Sequence, residues 1–90
     1  MKRLSQTTQF VRDVGRMRRR GKSLEKLKEA VAVLAQGGAL DPKHRDHALS
    51  GPWRYCRACH LEPDWVLIYT MDARSLRLER TGTHSDLFKK

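Results

Sequence analysis

Three of the chain's four histidines stand in its second half, each beside charged or aromatic residues. The segments are Arg45-Asp46-His47, then Arg57-Ala58-Cys59-His60-Leu61-Glu62-Pro63-Asp64-Trp65, then Arg80-Thr81-Gly82-Thr83-His84 and Phe88. A histidine titrates near neutral pH, at about 6.5, so one imidazole can take a proton while another gives one. An arginine fork grips two phosphate oxygens without losing its charge, and an aromatic ring can stack on an unpaired base. These are the parts needed to cleave RNA with its own 2′-hydroxyl as nucleophile. A base takes the 2′-OH proton, a cation faces the pentacoordinate phosphate, and an acid protonates the 5′-oxygen.

The charge balance fits such a substrate. The 90-residue chain carries a net +9, and residues 1–40 hold ten Lys/Arg against Asp13, Glu25 and Glu29. Clustered positive charge with a pI near 10.3 is the electrostatic footprint of a nucleic-acid binder; a solvated basic surface or an acidic protein partner would look the same. Arg16, Arg19 and Arg20 are candidates for RNA or ribosome attraction. The longest apolar run, Ala30 to Ala35, is far too short to span a bilayer, and no apolar segment follows Met1–Gln6. A cytoplasmic protein with no membrane partner is expected.

Cys56-Arg57-Ala58-Cys59-His60 spells the attachment signature of a c-type haem. Haem attachment normally takes place outside the cytosol, and the cysteines fall in a run read as a strand, where they would point to opposite faces. No helix begins there to depress a thiol pKa, and two cysteines cannot make a four-cysteine zinc site. Reduced cysteines without metal or cofactor are the reading.

The elements that must position these groups follow from periodicity. Lys2 to Thr8 reads as a short strand entering a helix. Phe10, Val14 and Met17 recur at helical spacing up to Gly21, with Arg12, Arg16 and Arg19 on the polar side. Ser23 is the expected N-cap of a second helix with a Leu24, Leu27, Val31, Leu34 stripe, ended by Gly37-Gly38. Trp53 to Cys59, Trp65 to Thr70 and Ser75 to Thr81 read as three antiparallel strands joined by short turns, with Gly38 to Pro52 a loop and Ser85 to Phe88 a last short helix. The expected fold is one α+β domain, residues 1–90: a helical hairpin packed on a small twisted antiparallel sheet, the sheet's other face free for function. Meander topology brings His60, Asp64, Trp65, Arg80 and His84 to one edge. His44 reads as a surface residue, Trp53 as core or sheet cover, and Trp65 as a residue for which packing competes with a base contact.

The blocks Asp46–Arg54, His60-Leu61-Glu62-Pro63-Asp64-Trp65-Val66-Leu67-Ile68-Tyr69 and Leu78-Glu79-Arg80-Thr81-Gly82-Thr83-His84-Ser85-Asp86-Leu87-Phe88 resemble the YafQ branch of the RelE/ParE toxin superfamily over residues 46–88. Residues 1–45 share only the helical-hairpin pattern and the basic charge. The resemblance implies a type II toxin that cleaves mRNA at the ribosome without a metal and is silenced by a cognate antitoxin, acidic in its toxin-binding segment. Carried over by position, it makes His84 the general acid. His60, oriented by Asp64, and His47 share the base and 2′-OH-positioning role. Arg80 holds the scissile phosphate, and Trp65 and Phe88 contact bases. Two readings of other classes remain: a non-catalytic gyrase-binding toxin of the ParE kind, and a basic RNA-binding module that hydrolyses nothing.

Overall fold

The central strand of the meander is buried on both faces from Trp65 to Tyr69, while its neighbours bury one face and leave the other partly open. This sets the plan of the molecule. In the computed structural model, which describes residues 1–88, β1 (Arg3–Gln6), β2 (His47–Ala48), β3 (Arg57–Glu62), β4 (Trp65–Met71) and β5 (Ser75–Gly82) form one sheet in the order β1-β5-β4-β3-β2. Helices α1 (Thr8–Arg19) and α2 (Leu24–Ala35) form the hairpin, and α3 (His84–Leu87) follows β5. This is the expected α+β architecture. The pairing of β1 with β5 is parallel, while all other neighbours run antiparallel. No hairpin turn constrains strands so distant in sequence, so either direction was open.

Thr7 caps α1 by accepting from the Phe10 N–H at 2.9 Å, and its hydroxyl donates to the Glu79 carbonyl at 2.8 Å. The cap thus docks the helix onto β5 as it starts it. Gly21, at φ 84°, reverses the chain into α2. Ser23 occupies the N-cap of α2 without a side-chain bond. Phe10, Met17, Leu27 and Leu34 then meet Cys59, Trp65, Leu67, Tyr69 and Leu76 in the main core between hairpin and sheet.

The opposite face is not wholly free. Ala58, Val66 and Ile68 point there, and Leu87, with the partly buried Leu49, Trp53, Cys56 and Phe88, covers them. Apolar side chains on alternate positions of β4 need cover, since each Å² left wet forfeits about 25 cal/mol. The cover explains a second difference: β3 starts at Arg57 rather than Trp53. Gly51-Pro52-Trp53 winds into a 3₁₀ turn, with Gly51 at φ 65°, and folds Trp53 back over this face. The segment Gly38–Pro52 is likewise more than a loop, holding a 3₁₀ turn at Pro42–His44 and the whole of β2.

The cysteines are both free and belong to opposite clusters, Cys59 to the main core and Cys56 to the second. Burial pushes the Cys59 thiol up to about 12, far from a reactive thiolate. Among the described residues no helix is long and apolar enough to cross a membrane.

Candidate active site

Strand register aligns His47, Ala58, Ile68 and Arg80 across four strands, and His60, Val66 and Gly82 across three. Partners across a sheet share a face, so His47, His60 and Arg80 stand on the face turned away from the hairpin. Helix α3 then brings His84 and Phe88 over the same face. The result is one row of rings. Centroids are 6.1 Å apart for His47–His60, 5.3 Å for His60–His84, 6.1 Å for His84–Phe88 and 6.4 Å for Phe88–Trp53, the last pair edge to face.

Hydrogen bonds fix which nitrogen each ring offers. His84 donates from Nδ1 to Asp64 Oδ1 at 2.7 Å, and its backbone N–H reaches the same oxygen at 3.0 Å. These bonds hold the Asp64 carboxyl below the usual carboxylate range. His47 Nδ1 lies 2.7 Å from the Arg45 carbonyl; a carbonyl only accepts, so Nδ1 carries the hydrogen and Nε2 is left bare in the neutral ring. His60 differs from both. Its Nδ1 is buried without a partner, and burial, then the neighbouring His84, His47 and Arg45, push its imidazole below the ordinary value. Both effects disfavour the charged form of His60, which stands between His47 and His84 in the row. Asp64 was expected to orient His60; it bonds His84 instead, because the β3–β4 turn lies directly under the first turn of α3.

Arg80 is held from behind. Asp13, fully buried on α1, accepts from Arg80 Nε at 2.7 Å and Nη2 at 3.1 Å, from the Thr81 N–H at 3.2 Å and from Arg16 Nη2 at 2.8 Å. Arg16 continues to Asp86 Oδ1 at 3.3 Å, and Arg20 grips Asp86 with both nitrogens at 2.7 and 3.2 Å. Asp86 also closes the capping box of α3 with Thr83. Two of the three arginines expected to attract RNA, Arg16 and Arg20, are thus engaged with carboxylates and anchor α3. Arg19 is exposed and has no ion-pair partner among the described residues.

Trp65 is the clear correction. It is 0% exposed, and its Nε1–H donates to Thr81 Oγ1 at 2.9 Å, so its ring packs the main core and presents nothing to a base. As the first residue of β4 it faces the hairpin, opposite to Val66. Phe88 remains half-buried at the end of the row, with Trp53 against it.

The family described as the bacterial toxin of type II toxin-antitoxin systems, YafQ, matches residues 2–89. The chain belongs to the YafQ family. The mRNA interferase toxin YafQ of Escherichia coli (strain K12) is 42% identical over 81 residues, covering 89% of this chain and 88% of the relative. The putative toxin YafQ of Haemophilus influenzae is 32% identical over 90 residues, covering 92% and 88%. The crystal structure of the E. coli DinJ-YafQ complex contains a chain that matches with a TM-score of 0.91 at 38% identity, over 98% of this chain and 99% of that one.

Within this YafQ fold, sequence reading missed Asp13, His44 and Asp46. His44 donates from Nδ1 to the His60 carbonyl at 2.8 Å. Asp46 accepts from the Tyr69 hydroxyl at 2.7 Å and from Arg57 Nε at 3.2 Å, which pins the segment leading into His47. Asp13 did carry a signal, being an acid among five arginines in Arg12–Arg20 and on the same helix face as Met17 and Phe10.

Proposed function

We propose that this chain is an endoribonuclease toxin that cuts mRNA by proton transfer between histidines, with the RNA 2′-oxygen as nucleophile. The observation that carries the reading is the row of three imidazoles whose outer two have Nδ1 held, by the Arg45 carbonyl and by Asp64. His47 offers a bare Nε2 and so suits the base, since its Nδ1–H is committed to the Arg45 carbonyl. His84, its Nδ1–H held by the Asp64 carboxylate at 2.7 Å, turns Nε2 toward the row and acts as the acid from that nitrogen. His60, kept uncharged between them, hydrogen-bonds the 2′-hydroxyl or the phosphate without competing for a charge. The 2′-oxygen forms its bond to phosphorus as His47 takes the proton. Arg80 faces the negative phosphorane, and the bond to the 5′-oxygen breaks as His84 supplies its proton. The products are a 2′,3′-cyclic phosphate and a 5′-hydroxyl, and the two histidines have exchanged protonation states. Phe88 stacks on a base beside the scissile position.

The E. coli relative's name, mRNA interferase, supports the substrate. The reading extends to translating ribosomes as the place of cleavage, reached through the exposed arginines of α1, and hence to the cytoplasm. The relative's complex with DinJ supports a cognate antitoxin here, one whose binding segment is acidic to match the basic surface.

Induction of the intact chain and of His84→Ala in cells, with mRNA 5′ ends mapped, tests this. Arrest with new in-frame cuts from the intact chain alone is expected. Arrest from both chains with mRNA uncut would overturn it and leave a binding poison of the gyrase type.

A further inference from the structure

The row of rings has two flanks. One ends in Phe88 and Trp53. The other opens into a cleft of about 720 Å³ between α2, the segment after it and the end of β3. Nothing in the chemistry above uses this cleft, yet His60 is a wall of both row and cleft, and the His44 bond to the His60 carbonyl closes the seam between them. An RNA strand laid across the histidines with one base on Phe88 must send its next nucleotide in the other direction, and the cleft lies there.

We propose that this cleft is a nucleotide subsite, holding the unpaired RNA nucleotide on the side of the scissile phosphate opposite Phe88. The inference rests on the ribonuclease reading. The volume lies within the range of small-ligand sites, about 300–1,000 Å³. The walls are apolar where a base would lie: Val33, unusually exposed for its type at 37%, faces it from α2, and Leu40 from the opposite side. The rim next to the row carries Lys43 and Arg45, neither with an ion-pair partner among the described residues. Two of the three acids of the lining are engaged, Glu62 by Lys22 and Lys26 at 2.7 and 2.9 Å and Asp41 by the Lys43 backbone N–H. Glu29, on the helix wall, has no ion-pair partner among the described residues. Arg45 supplies a further sign of function. It is the one described non-glycine residue in the left-handed region, at φ 49°, a conformation that costs energy and collects at ligand-binding segments. That kink turns the chain from the 3₁₀ turn into β2, so the same residue shapes the rim and delivers His47 to the row. A protein segment would also fit an apolar cleft, but continuity with the phosphate-handling row and the two free cations beside it favour a nucleotide.

Val33→Trp fills the cleft from a helical surface position, and Lys43→Glu reverses charge on an exposed turn. Each is compared with the intact chain in an in vitro translation reaction, reading toxin concentration dependence and the bases flanking every mapped cut. Expected for each variant is about a tenfold higher toxin requirement, the usual size of one nucleobase or phosphate contact. Val33→Trp should also relax or change base preference on one side of the cut only, with the pH dependence of the cutting rate retained. Melting curves check folding, and Lys43→Glu stands alone should Val33→Trp unfold. Unchanged concentration dependence and base preference in the folded variants would overturn the subsite. So would a variant that cuts normally but escapes its antitoxin, which assigns the cleft to the protein partner. An intact chain that cuts nothing in this reaction sinks the ribonuclease reading itself, and the subsite with it.

Discussion

Asp64 and His84 are bonded twice through one oxygen, Oδ1 accepting the ring Nδ1–H at 2.7 Å and the backbone N–H at 3.0 Å. The carboxylate therefore sets both where α3 begins and which way its imidazole turns. Asp64→Asn keeps an acceptor for the N–H but removes the negative charge behind the His84 ring. Cleavage should fall by about tenfold to a hundredfold, less than the 10²–10⁴ typical for deleting an acid such as His84 outright. Melting temperature should hardly move, because Asp64 is exposed. Equal rates for Asp64→Asn and the intact chain would show that the pair is only a helix cap.

In the proposed mechanism Asp13 is a positioning residue, acting on the phosphate through Arg80. Removing one partner of a buried charge pair costs about 3–5 kcal/mol, so Asp13→Asn should lower stability markedly. The informative experiment is a double-mutant cycle on rate. With Arg80→Ala already in place, Asp13→Asn should slow cleavage little further while still lowering the melting temperature. Additive losses of rate would mean that Asp13 acts by another route.

Two groups predict the pH dependence of stability. Arg20 and then Thr83 hold the Asp86 carboxyl well below its usual range. A lowered carboxyl gives stability that is complete above its unfolded value, about 3.8, and is lost as pH falls through the folded one. His60 is also lowered, so the unfolded chain takes up this proton first as pH drops through about 6.5, and stability declines from pH 7 toward 5. Melting temperatures from pH 8 to 3 should show a flatter acid limb for Asp86→Asn and a smaller drop between pH 7 and 5 for His60→Gln. If His60→Gln loses as much as the intact chain over that interval, the neutral middle imidazole is wrong.

Arg12, Arg18 and Arg19 are exposed on α1 without carboxylate partners among the described residues. They, rather than the engaged Arg16 and Arg20, should carry long-range attraction to RNA. Reversing all three to glutamate should weaken ribosome association and make its salt dependence shallower, by about 0.7–0.9 in log–log slope for each phosphate no longer neutralised. Thermal stability should stay near that of the intact chain. Unaltered binding across a salt series would rule out docking through this face.

Much of the fold was legible because it rests on local signals. The apolar stripes of α1 and α2, the glycines that end them and the alternation in β5 each act within a few residues. The gathering of His60, Asp64 and His84 was also legible, since a meander returns alternate strand ends to one side. What escaped depends on partners far apart in sequence. Asp13 meets Arg80 and Thr81 across the whole domain; its place on the face of Phe10 and Met17 signals burial but does not name those partners. Asp64 has His60 and His84 both within the gathered edge, and only the placement of α3 decides between them. Trp65 was misassigned because a tryptophan opening a strand looks alike on either face, and the decisive Thr81 bond lies on another strand.

The parallel pairing of β1 with β5 has a kinetic consequence. The first strand of the sheet finds its partner only in the last one, so a growing chain carries β1 unpaired until β5 has been made. Such distant pairings slow folding, because the loop must close before any contact rewards it. Arg80, His84 and Phe88 lie in or beyond that same last strand. The row of rings is therefore complete only once β5 and α3 have been made and the sheet closes.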